Sequence, residues 1–121
     1  MTSLCVSFMK YLLIGLLASA LLASATMFAT QSRQTFSGTI TDDECPSADH
    51  SGMRMGPTDA ACTIACVDDH SIRFILFDGK ETYRLSDQDK SREFAGKKVA
   101  VVGTLDSTTQ TIQVNSMAAA N

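Results

Sequence analysis

Apolar and polar positions change period several times along the chain, and each change marks an element. The stretch from Tyr11 to Leu22 is one apolar run rich in Leu and Ala, preceded by Lys10 and followed by Ala23, Ser24 and Ala25. A basic flank, an apolar stretch of signal length and small residues at its end are the order of a secretory signal peptide, so the pattern predicts residues 1–25 as an export signal cleaved after Ala25. An uncleaved anchor is the competing reading, because the low-charge stretch from Leu12 to Thr30 nearly reaches the roughly 20 residues that span a bilayer. Cys5 lies before the apolar run, not after the small residues, which argues against a lipid-anchored protein. Residues 26–34 are small and polar without periodicity and read as a linker.

From Thr35 the period becomes two. Phe36, Gly38 and Ile40 alternate with Thr35, Ser37, Thr39 and Thr41, which predicts a first strand. The stretch from Asp42 to Pro57 holds both prolines and no apolar pattern, so it reads as a solvated acidic loop. Thr58 fits an N-cap for a helix from Asp59 to Asp69, with Asp59 in the first turn and Cys62, Ala65 and Cys66 on one face. The run from Ile72 to Phe77 is rich in β-branched and aromatic residues and predicts a second strand. Asp78-Gly79 then suggests a two-residue type I′ turn into a third strand, Glu81 to Leu85. Ser86 to Ala95 suits a short helix ending at Gly96. Two further strands are expected, Lys97 to Leu105 and Thr111 to Met117, with residues 118–121 as a fraying tail.

Five short strands, one helix after the first and a short helix between the third and fourth predict a mainly β domain over residues 35–117. The order is that of a small OB-like barrel, with a mixed α+β sandwich as the competing arrangement. The chain is 121 residues long with a net charge of −3, and all 13 acidic residues follow the apolar N-terminal segment. Lys97-Lys98 and scattered arginines make no basic stripe, so nucleic acid is excluded as a partner. A monomer with no membrane contact after signal cleavage is expected.

The segments Gly38-Thr39-Ile40-Thr41-Asp42, Cys45, Asp49-His50, Asp59, Cys62-Thr63-Ile64-Ala65-Cys66-Val67, Phe94-Ala95-Gly96-Lys97-Lys98-Val99 and Gly103-Thr104-Leu105 carry a resemblance. They are similar to an uncharacterised family of short exported bacterial proteins, in which a signal peptide precedes a small OB-like β domain. The similarity runs from about Phe36 to Met117. It implies export to the periplasm or the extracellular space and a single domain, and it implies no activity. Cys45, His50, Cys62 and Cys66 fall on family positions, whereas His70 does not.

Those four residues carry the chemistry, in the spacing C-x4-H-x11-C-x3-C. Three thiols and an imidazole are the donors of a closed tetrahedral zinc site, and Met53 and Met55 beside His50 add thioethers that would favour copper(I). The spacing matches no standard zinc motif. In an oxidising compartment the same cysteines form bridges, so a disulfide from Cys45 to Cys62 or Cys66, with the third thiol buried, is the competing reading. Thiol redox chemistry fits less well, because it normally uses C-x-x-C at a helix start. A hydrolase built on Ser51 or Ser71 lacks a nucleophile elbow, and Asp42, Asp43, Glu44 and Asp49 lack the order of a calcium loop. The sequence thus predicts an exported, non-enzymatic binding or envelope-associated domain of unassigned ligand. The alternatives are zinc or copper binding through the Cys/His group, and thiol redox.

Overall fold

The computed structural model describes residues 31–121, and the export signal and most of the linker predicted above lie outside them. The described chain runs β1 (Gln34–Asp42), α1 (Asp59–His70), β2 (Phe74–Phe77), β3 (Thr82–Leu85), α2 (Gln88–Glu93), β4 (Lys98–Asp106) and β5 (Thr111–Ala119). The mainly β class, the five strands and the places of both helices agree with the pattern of the sequence. No helix among the described residues is long and apolar enough to cross a membrane.

The five strands form one sheet in the order β1-β2-β3-β5-β4 that closes on itself in a ring. Closure depends on β1, which serves two neighbours. Its second half pairs with β2, from Thr39 opposite Phe77 to Asp42 opposite Phe74. Its first half pairs with β4, from Gln34 opposite Gly103 to Thr39 opposite Lys98. At the handover a Cβ on Gly38 would stand 2.4 Å from the Phe77 carbonyl oxygen, so only glycine lets the backbones approach there. On the far side β3 meets β5 in the single parallel pairing, Leu85 opposite Ile112.

Inside the ring Ile40, Phe74, Leu76, Leu85, Val99, Val101, Ile112 and Met117 form the core. Alternation along β5 places Ile112 and Val114 toward it and then switches parity to reach Met117. The switch is a bulge: Val102 pairs with Ser116 but Gly103 with Val114, leaving Asn115 unopposed. The tail is not frayed at its start, since β5 continues to Ala119 opposite Val99 and the Ala120 N–H donates to the Lys98 carbonyl at 3.0 Å.

The connection from β2 to β3 also differs from the expected two-residue turn. It spans four residues, and Gly79 has positive φ whereas Asp78 does not. The Asp78 carboxylate is the cause: its Oδ1 accepts the N–H groups of Lys80 at 2.8 Å and Glu81 at 2.7 Å, a side-chain cap that competes with the tighter turn.

Candidate metal centre

The long β1–β2 connection, residues 43–73, builds the site. Three side chains with ligating atoms converge within 4.8 Å of one another there: Asp42, Cys45 and His50, all buried. Asp42 is the last residue of β1. Phe36, Gly38, Ile40 and Asp42 share one parity, so the strand that carries Ile40 into the core carries the Asp42 carboxylate inward as well. The sequence pattern placed Asp42 in a solvated loop, and the structure corrects this: the residue has no exposed surface.

A buried carboxylate needs donors, and the chain supplies three. Asp42 Oδ1 accepts the backbone N–H groups of Glu44 at 3.1 Å and Cys45 at 2.9 Å, which turns the chain sharply out of β1. Oδ2 lies 2.8 Å from Nε2 of His50. The Thr41 hydroxyl donates to the Cys45 carbonyl at 2.7 Å, and the Ala48 N–H donates to the same oxygen at 2.9 Å. These bonds fix where the Cys45 thiol and the imidazole stand.

The helix supplies the opposite wall. Thr58 caps α1 by accepting the Ala61 N–H at 3.1 Å, as its residue type foretold. Gly96, with φ at +72°, lies against the first turn, where a Cβ would stand 2.5 Å from the Ala60 nitrogen. Thr63 of α1 is buried, with its hydroxyl 3.4 Å from His50 Nε2. Asp59 opens the helix, its Oδ1 3.8 Å from His50 Nδ1 and its side chain 69% exposed. His50 is thus held between the end of β1 and the start of α1, at 2% exposure. Its Nδ1 is a buried polar atom with no hydrogen-bond partner.

Of the four ligands expected from spacing, Cys45 and His50 belong to this group, and Cys62 and Cys66 are engaged elsewhere. The Cys62 thiol donates to the Gly56 carbonyl at 3.2 Å. The Cys66 thiol contacts the Met55 thioether at 3.5 Å, so one of the two methionines near His50 does meet a thiol, while Met53 is exposed. The three cysteines among the described residues are free thiols, and no bridge joins Cys45 to Cys62 or Cys66. Burial pushes the Cys45 thiol above its ordinary value, and the charges of Asp42, Glu44 and Asp49 push the same way. Burial and then Asp42, Cys45 and Cys62 push Cys66 up to about 11. His70 stands apart, with Nδ1 3.5 Å from Glu44 Oε1 at the surface.

Asp42, Asp59 and Thr63 are the residues that spacing overlooked. The parity of β1 was the available signal for Asp42. The helical offset of one from Cys62 gave no signal for Thr63. A separate surface cleft of about 500 Å³ lies among Ser37, Thr39, Ser47, Phe77, Asp78 and Lys98, and it holds no comparable convergence of buried donors. No family model, no curated protein and no solved structure matches this chain.

Proposed function

We propose that the protein is an exported, non-enzymatic metal-binding domain, an OB-like barrel whose β1–β2 connection holds one zinc ion at the Cys45–His50 group. The observation that carries this reading is the buried His50 ring, anchored on Asp42 through one nitrogen and left without a partner at the other, beside a buried thiol. Leaving a buried polar atom unpaired costs on the order of 1–3 kcal/mol, and a bound cation removes that cost. An imidazole whose second nitrogen bonds a carboxylate is the usual form of a metal-bound histidine, because that bond fixes ring orientation and tautomer.

The electrostatics favour a cation over a reactive thiol. An attacking cysteine needs a lowered pKa and an electropositive setting, whereas the Cys45 thiol is pushed up, first by burial and then by the charges of Asp42, Glu44 and Asp49. The same carboxylates that disfavour a bare thiolate attract a divalent ion, which deprotonates a coordinating thiol outright. Mixed sulfur, nitrogen and oxygen donors suit zinc; copper(I) prefers an all-soft set. The OB-like reading rests on the strand order, the parallel β3–β5 pairing and the helix between β3 and β4. The order of the strands does not itself select the ligand.

The test is elemental analysis of the purified chain after zinc loading and dialysis. The expected result is about one zinc per chain in the wild type and near-background metal in Cys45→Ser and His50→Ala, with acid releasing the ion as thiol and imidazole take up protons. A wild type without metal, or full retention in both variants, would overturn the reading.

A further inference from the structure

Asp42 and Asp59 flank the same imidazole on its two nitrogens, and their geometries differ in a way that separates their roles. The Nε2 to Oδ2 distance of 2.8 Å is that of a hydrogen bond. Two donors at about 2.0–2.2 Å from one tetrahedral zinc stand about 3.3–3.5 Å apart, so an ion placed between Nε2 and Asp42 would force the pair open. It would also take away the Nε2–H hydrogen bond that this carboxylate accepts, while its other oxygen already accepts two backbone N–H groups. A carboxylate accepts and does not donate, so Nε2 carries the hydrogen. Nδ1 then presents a lone pair.

The Nδ1 side meets no such obstacle. It is buried, unpaired and 3.8 Å from Asp59 Oδ1. That gap is a few tenths of an ångström wider than two ligands of one zinc, and the exposed Asp59 carboxylate closes it by rotation about its own bonds. A proton on Nδ1 in place of a metal would bury an N–H donor that finds no acceptor within hydrogen-bond distance.

Resting on the reading of this group as a metal site, the geometry points to His50 Nδ1 as the ligating nitrogen, Asp59 as a metal ligand supplied by the first residue of α1, and Asp42 as the positioning residue that orients the ring from outside the coordination shell. Zinc binding there ties the β1–β2 connection, through His50, to the first residue of the helix.

Two measurements on the full chain test this. Nitrogen-15 NMR of the metal-free protein should show His50 protonated on Nε2 and not on Nδ1, a result that does not depend on metal. A ring protonated on Nδ1 would overturn the assignment even if zinc binds. Zinc titration should then show Asp59→Ala and Asp59→Asn weakened by more than about tenfold, with the metal-free tautomer unchanged and part of the affinity restored in Asp59→Glu. Asp59 is exposed, so these variants keep the fold. Asp42→Asn should weaken zinc by about 10–100-fold and mix the two tautomers. Wild-type affinity in Asp59→Ala would overturn the role of Asp59 while leaving the metal site standing. Failure of the wild type to bind zinc would remove the metal reading itself and the ligand role with it, whatever the tautomer.

Discussion

Gln88, the first residue of α2, satisfies both backbone groups of Phe74 with one side chain. Its Oε1 accepts the Phe74 N–H at 2.9 Å, and its Nε2 donates to the carbonyls of Phe74 and Leu85, each at 3.0 Å. Phe74 pairs with Asp42 across β1 and β2, so this side chain holds the start of β2 beside the last residue of β1. Replacing it with alanine leaves three partly buried backbone groups to find other partners. Gln88→Ala should lose about 1–3 kcal/mol of stability in urea unfolding. An unchanged midpoint would show that water replaces the amide without cost. Nothing in the period of the sequence marks Gln88, because two of its three bonds join segments 14 residues apart. Asp42 was legible in principle: it continues the inward parity of Ile40. Its acidity, next to Asp43 and Glu44, made it read as solvated. Cys45 and His50 were found from their donor chemistry, while the separation of Cys62 and Cys66 from them depends on which way the loop turns after β1, and spacing does not encode that.

The elements themselves were largely legible. The N-cap Thr58, the β-branched run into Phe77 and the stop at Gly96 are local signals, and each places an end of an element within a few residues. Connections were less so, since the turn after β2 is decided by the Asp78 carboxylate and its two backbone donors. One contact between elements is testable by acid. Asp68 near the end of α1 binds Arg92 of α2, with Arg92 Nη1 3.2 Å from Oδ2, while the guanidinium also lies 5.4 Å from the Phe74 ring centroid. The hydrogen bond from Arg92 holds the Asp68 carboxyl below its ordinary value. A folded-state value below the unfolded one, near 3.9, adds stability above that pH and loses it as pH falls through the lowered value. The stability difference between the wild type and Asp68→Asn should therefore be small but measurable near neutral pH and shrink below about pH 4. A difference that stays constant into acid would show that the pair contributes through packing and not through charge.

At the scale of the whole molecule, ring closure turns a set of short strands into a scaffold for one loop. The double pairing of β1 and the parallel β3–β5 contact are long-range choices that alternation cannot reveal, although the number and order of strands narrow them. Closure brings the end of β1 against the start of α1, and the buried imidazole lies at that junction. In the proposed metal centre this junction binds metal through Cys45 and His50 and leaves Cys62 and Cys66 out of the coordination shell. Cobalt(II) substitution followed by absorption spectroscopy reads it directly, because a thiolate ligand gives a near-ultraviolet charge-transfer band and tetrahedral cobalt absorbs in the visible. Both signals should appear in the wild type and persist in Cys62→Ser and Cys66→Ser, and the charge-transfer band should vanish in Cys45→Ser. No cobalt signal in the wild type, or a charge-transfer band that survives Cys45→Ser and disappears with Cys62 or Cys66, would contradict this coordination.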